Sequence, residues 1–428
     1  MRGLLTLLAT LLAATVPTAG SAQSIAWHGR TDVAAGGGEH GPWRQNESRY
    51  DYVDDPTVAV DERGEVAVAW VDQARKDVLF QRFSADGASY GQPINVSRSP
   101  AIFSWLPRIA LAPDDPKQIF ILWQEIIFSG GSHGGDILFA RSQDGGSTFS
   151  KPLNLSRSVA GDGKGRINKE IWHNGSLDLA AGAGRALYAA WTEYEGALWL
   201  SRSTDGGKSF APPRRVAGSN AEPTRGPSLA LGPDRTVYLA WTVGDDPAAD
   251  IRVAKSTDGG AKFTEPRIVA QSKGYSDAPK LAVDSGGALH LVYGESMGGP
   301  FGPSHVRYTR SSDGARSFEP ARDISGAGAG FPALSIDAKG NLYVMWELFP
   351  EPRRRPRGLA LVVSRDGGRS FTPPKAVPES ADPAGGSNGS RQGLLMTKLS
   401  VNRHGAVAIV NSSLKDGERS RVWLIRGR

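Results

Sequence analysis

The chain has 428 residues, among them 53 glycines and 28 prolines, and no cysteine. The missing cysteine excludes a disulfide scaffold, a thiol nucleophile and a Cys-ligated zinc. The glycine and proline load excludes a helical bundle and points to turn-rich β structure, while a formal charge of +6 suits an anionic ligand and is too diffuse to argue for nucleic acid.

Met1-Arg2, the apolar run from Leu4 to Val16 and the small residues Ala19-Gly20-Ser21-Ala22 read as a secretory signal peptide over residues 1–22. The apolar run is too short to span a bilayer comfortably, and no later segment approaches a span. The mature chain, residues 23–428, is therefore expected to be one soluble domain, secreted or periplasmic.

From residue 27 onward the sequence repeats. Each unit opens on a proline, an alternating strand, a turn and a second strand that ends in an aromatic: Pro56 to Trp70, Pro107 to Trp123, Pro227 to Trp241, Pro279 to Tyr293 and Pro332 to Trp346. Gly175 to Trp191 is a variant without the proline, and Thr397 to Asn411 a seventh, weaker copy. Val58 and Val60, or Leu229 and Leu231, face one way, and the small Ala59 or Ala230 faces the other, as in a buried strand within a crowded layer. A third strand then runs into a turn of the form Ser-x-Asp-Gly, and a fourth follows the aromatic that closes the turn.

That turn recurs six times, around Asp86, Asp144, Asp205, Asp258, Asp313 and Asp366, at steps of 53 to 61 residues. Such a period signals a propeller or a solenoid, and four short antiparallel strands per repeat make a propeller blade. The seventh unit stops at Arg428 after its third strand. Trp27 to Ala34 matches Phe210 to Ala217 in length and apolar positions, so residues 27–34 are expected to pair with 420–428, complete the last blade and close the ring. An all-β propeller of seven blades is expected; the alternative is six blades with residues 380–428 as an appendage.

The Ser-x-Asp-x-Gly-x-x-Phe pattern resembles the Asp box, or bacterial neuraminidase repeat, of the sialidase superfamily, and its six copies cover most of the mature chain. The resemblance implies a β-propeller in which these six aspartates are structural and lie on the face away from an active site. For a sialidase it further implies an arginine triad, a Tyr–Glu nucleophile pair and an aspartic acid/base. Where that family opens its first blade with Arg-Ile-Pro, this chain has Asp54-Asp55-Pro56; the nearest match is Arg225-Gly226-Pro227 in the fourth unit.

Long loops on the face opposite the boxes, at 36–55, 124–136, 156–175, 294–306, 347–358 and 379–396, are where function is expected. Arg108, Lys280 and Lys398 follow the repeat proline or its equivalent; two positions before it stand Asp54, Trp105, His173, Arg225 and Asp277. Equivalent positions in a closed ring point at one axis, so Arg108, Arg225, Lys280 and Lys398 are candidate holders of a sugar carboxylate or sulfate, with Trp105 and Trp172 placed to stack on sugar. Asp72, Glu125, Glu193 and Glu295, two positions beyond the second-strand aromatic, are candidate catalytic carboxylates. Glu347 follows its tryptophan directly, and Tyr194 lies between Glu193 and Glu195. The seven histidines show no zinc spacing, and neither a metal nor a cofactor is expected. These readings converge on an exported sialidase-like propeller acting on an acidic glycan or glycoconjugate, as a glycoside hydrolase of the exo-sialidase kind or a lyase. The alternative is a non-catalytic propeller that binds glycan or protein.

Overall fold

The computed structural model describes residues 24–428 except 127–134, 157–162, 168–169, 171, 175, 245–250, 271–273, 298, 300–304, 352–353, 383–385 and 387–394, with backbone only for 172–174 and 270. The signal-peptide segment lies outside the described residues. Seven antiparallel sheets of four strands each stand as blades in a ring. Their inner strands are Val53–Val60, Ser104–Ala112, Leu177–Ala181, Thr224–Leu231, Tyr275–Val283, Ala329–Ile336 and Leu399–Val401. Among the described residues there is no α-helix, and no helix is long and apolar enough to cross a membrane.

Large residues at the ends of the second strands fill the space between sheets. Trp70, Trp123, Trp191, Trp241 and Trp346 are fully buried, and Tyr293 serves in the fifth blade. In the seventh, Asn411 stands at that position, and Trp423 on the strand opposite supplies the buried ring instead. Blades are also laced edge to edge: Ser228, Ser335 and Ser400 accept the amides of Leu281, Val401 and Val60 in the next blade at 3.0–3.1 Å, and Asp178 accepts that of Leu229 at 2.7 Å.

The ring closes as expected. Thr31–Gly36 pairs antiparallel with Arg419–Gly427, placing Thr31 opposite Leu424 and Gly36 opposite Ser420. Before it, Ala26 donates to the Arg428 carbonyl and His28 to that of Arg426, both at 2.8 Å. Trp27 packs on the core formed by Met345, Leu361 and Ile409, taking the place that a box aromatic has elsewhere.

In the repeated turn, Ser142 Oγ donates to Asp144 Oδ1 at 2.7 Å, and the Thr148 amide donates to the same oxygen at 2.9 Å. The pattern returns at Asp205, Asp258, Asp313 and Asp366. Burial works against ionisation of Asp366, but hydrogen bonds from Ser370, Ser364 and backbone amides outweigh it and hold the carboxyl at about 2. Each turn also receives a cation from the preceding blade. Arg141 reaches the Gly206 carbonyl at 3.3 Å, Arg202 that of Gly259 at 2.7 Å, Lys255 that of Gly314 at 2.7 Å and Arg310 that of Gly367 at 2.9 Å. Across the closure, Arg426 reaches Ala85 at 2.5 Å.

One local feature turns on the repeat proline. Asp55, Leu106, Gly226, Ala278 and Phe331, each just before its proline, have φ between 50° and 58°, and the register slips there in all five strands. The proline has no amide to offer the ladder, so a bulge forms and re-aims the flanking side chains toward the channel. The third blade has no proline and no slip: Leu177 lies opposite Trp191, and Ser176 takes the position that Arg225 has. His173, expected there, instead lies in an extra hairpin, Lys164–Arg166 with Trp172–Asn174.

Removing residues 24–36 exposes the last strand of the seventh blade and costs the burial of Ile25, Trp27 and Val33, about 1 kcal/mol or more for each. Calorimetry of the truncated mature protein should show a melting temperature lower by several degrees. An unchanged midpoint would contradict closure by this strand.

Candidate functional site

The positions following the bulge form a ring around the channel: Thr57, Arg108, Asp178, Ser228, Lys280, Ala333 and Lys398. Arg108 and Lys280 do meet, as equivalence predicts. Arg108 Nη2 and Lys280 Nζ both donate to the Leu395 carbonyl, at 3.3 and 3.4 Å, and Met396 covers the guanidinium. Loss of hydration presses Arg108 down to about 10, against the pull of Asp178 and Asp55. It presses Lys280 down to about 8; Asp178 opposes the shift and Arg108 adds to it. Lys398 is paired with a carboxylate of its own. Its ammonium lies 2.5 Å from Glu347 Oε1, both groups are buried, and Asn411 donates to the same carboxylate at 3.2 Å. Burial lowers the Lys398 pKa, with Glu347, Asp55 and Asp54 resisting. The cations therefore have carboxylates of their own within the channel.

Arg225 is also buried and bonds Asp277 at 3.2 Å, next to Thr242. Trp105 is buried at the mouth; its indole donates to Gln73, which in turn donates to Asp54 at 2.9 Å. The four candidate carboxylates stand on four blades. Asp72 meets Arg75 at 3.4 Å, and Glu295 meets Arg307 at 3.3 Å. Glu125 is raised in pKa by burial while accepting from Ser99 at 2.7 Å, Trp123 at 3.1 Å and Ser104 at 3.5 Å. Glu193 opens the turn that leads to the third strand of its blade. The side chains of Trp172 and His173 lie outside the described residues.

A cleft that the repeat does not announce opens on the same face. It encloses about 710 Å³ between residues 37–41, Asp51, Arg355 and the turn at Asp416–Glu418. Its wall explains the glycine run at 36–38. A Cβ on Gly37 would strike the Asp51 carboxylate, and one on Gly38 would lie 2.5 Å from the Glu418 amide and the Lys415 carbonyl. Asp51 fixes this loop by accepting the Glu39 amide at 2.7 Å. His40 stacks on Tyr50 and Tyr52, with centroids 5.0 and 5.4 Å apart. Burial, aided by Asp54 and Asp55, drives the Tyr52 phenol far above its ordinary pKa; Arg355 pulls the other way. Arg355, half in solvent, touches Asp416 at 3.4 Å. Among the described residues no group of three His, Asp or Glu is set to hold a metal. The only sequence signals for this cleft were the Gly36-Gly37-Gly38-Glu39-His40 stretch and the arginines around 355, both of which look like ordinary loops.

No family model matches the sequence, and no curated protein matches it. Solved structures do match. A PL25 polysaccharide lyase, an ulvan lyase bound to -[GlcA(1-4)Rha3S]-, aligns with TM-score 0.59 at 11% identity, covering 92% of this chain and 95% of its own. A lectin from Burkholderia pseudomallei aligns with TM-score 0.58 at 11% identity, covering 86% and 95%. A protein of unknown function from Dyadobacter fermentans DSM 18053 aligns with TM-score 0.54 at 14% identity, covering 78% and 97%. At these identities the likeness is one of fold.

The channel charges make a pH prediction. Lys280 is neutral in the fold above about 8, but in the unfolded chain it keeps its proton up to about 10.4. Within that window unfolding takes up a proton, so stability rises with pH, on the order of 1 kcal/mol per unit. Urea melts of the native protein and Lys280→Met across this range should show a steeper rise in the native protein than in the variant, where only Arg108 and Lys398 remain to contribute. Parallel profiles would contradict the assignment.

Proposed function

We propose that this exported propeller cleaves an acidic polysaccharide at the cleft of His40 and Arg355, by elimination. The observation that carries the reading is the joint presence of a guanidinium and an imidazole in one open cleft on the face opposite the boxes, with the imidazole backed by two buried tyrosines. The likeness in fold to an ulvan lyase supports it.

Elimination at a uronate asks for a cation on the sugar carboxylate and a base at C5. Arg355 would exchange its contact with Asp416 for the substrate carboxylate in a bidentate bond, which makes the C5 proton more acidic. His40 would accept that proton. The C4–O bond breaks as its electron pair leaves with oxygen, a C4=C5 double bond forms, and the departing oxygen takes up a proton. Tyr52 is buried behind His40, so that proton comes from water in the open cleft. Glu39, Asp51 and Glu418 at the rim are acceptors for sugar hydroxyls. Hydrolysis would need two carboxyls roughly 5–10 Å apart across one pocket; the cleft also carries Glu39, Asp51, Asp416 and Glu418, so the products decide between the two reactions.

The test is incubation of the mature protein with a panel of uronate polysaccharides, ulvan included, and with sialosides, reading ultraviolet-absorbing unsaturated ends and new reducing ends. Unsaturated ends are expected from a uronate polymer. His40→Ala should lose about 10²-fold or more in kcat/KM and Arg355→Ala about tenfold or more. Reducing ends without unsaturation would favour a hydrolase. Binding without product would favour a non-catalytic glycan-binding propeller.

A further inference from the structure

Among the described residues, Trp43 is the one tryptophan that stands exposed, at 47%. Long loops normally leave such a side chain mobile, but this one is braced from below. Its ring lies 5.0 Å from Trp105, 6.1 Å from Phe103 and 6.5 Å from Tyr50, the last nearly parallel at 14°. The backbone beside it is pinned to the second blade. Asn46 donates to the Ile126 carbonyl and accepts the Phe103 amide, both at 2.9 Å, and its own carbonyl accepts from Lys76, whose ammonium sits 5.1 Å over the Phe103 ring. The Arg44 amide donates to Ser48 at 2.6 Å. A tryptophan held rigidly with one face open has no packing reason to be exposed.

The rings also run in one direction. Trp43 stacks toward Tyr50, Tyr50 toward His40 at 5.0 Å, and His40 toward Tyr52 at 5.4 Å. The open face of Trp43 is thus two ring contacts from the imidazole in the cleft. A flat indole suits the apolar C–H face of a pyranose, whereas the carboxylates and Arg355 in the cleft suit its polar edge and charge.

We propose that the exposed face of Trp43 is a sugar-stacking subsite for the same polysaccharide, binding a residue of the chain beyond the one in the cleft. The inference rests on the reading of the cleft as a glycan site. It assigns Trp43 to recognition of chain length, and the cleft to recognition of charge.

Titration calorimetry with uronate oligosaccharides cut from ulvan, from disaccharide to octasaccharide, separates the two. The native protein should bind longer oligosaccharides more tightly than the disaccharide. Trp43→Ala should weaken the long ones about tenfold, a change of ~1.4 kcal/mol, and leave the disaccharide alone; Trp43→Phe should recover most of the loss. Arg355→Ala should weaken every length. Equal affinities of native protein and Trp43→Ala for all lengths, with a native melting temperature, would overturn the subsite while leaving the cleft standing. Absence of binding by the native protein at any length would instead remove the glycan reading itself and the subsite with it.

Discussion

The fold depends on a cation from one blade reaching the carbonyl of the next blade's turn. Arg141, Arg202, Lys255 and Arg310 each make that bond, and Arg426 makes it across the closure to Ala85. Blades share no backbone ladder with their neighbours, so these bonds work with side-chain packing, inner-edge hydrogen bonds, the buried pairs Arg225–Asp277 and Lys398–Glu347, and single backbone bonds such as Val58 to Thr397 to hold them in order. The box aspartates act one step earlier. By accepting the serine hydroxyl and the amide four residues on, Asp205 and its counterparts fix the turn so that its carbonyls face the incoming cation. The box aromatic then packs on the preceding blade, as Phe149 does on Phe80 at 5.1 Å and Phe371 on Tyr308 at 4.9 Å. One face of the ring is consumed by this work, which leaves the opposite face free for recognition.

Buried charge shapes that free face. Three cations near one axis would repel each other and lose hydration. Glu347 meets Lys398 directly, while Asp178 and Asp55 act on Arg108. A pair buried as Lys398 and Glu347 are is costly to break, about 3 kcal/mol when one partner is removed, because the other is left unpaired out of water. Within the channel these cations thus stand against carboxylates of the protein itself. The open cleft lies at the rim instead, where a loop without repeat character, residues 36–52, meets Arg355 and the turn after residue 415.

Much of this was legible in the sequence because it repeats. The six Asp turns and the split seventh unit predicted the blades and the closing strand, and the match of Trp27 to Phe210 foretold which ring would plug the last blade. The meeting of Arg108 with Lys280 followed from equivalence. Legibility ended where equivalence did. The missing proline in the third blade removed the bulge, so Ser176 rather than His173 took the inner position. The left-handed residue before each proline cannot be read from a sequence in which it is variously Asp, Leu, Gly, Ala or Phe. His40, Trp43 and Tyr52 come from a loop that occurs once, so no periodicity marks them. Their surroundings come from residues distant in the chain: Trp105 beside Trp43, and Arg355 and Glu418 in the cleft that His40 also lines.

The central claim is that recognition belongs to the face opposite the Asp turns, at the rim built by residues 36–52. Hydrogen–deuterium exchange of the mature protein, with and without a uronate oligosaccharide at saturating concentration, tests it most directly. Slowed exchange in residues 37–52, around Arg355 and at 415–419, with the turns around Asp144, Asp205, Asp258, Asp313 and Asp366 unchanged, is the predicted result. Protection centred on those turns, with the rim unaffected, would contradict it.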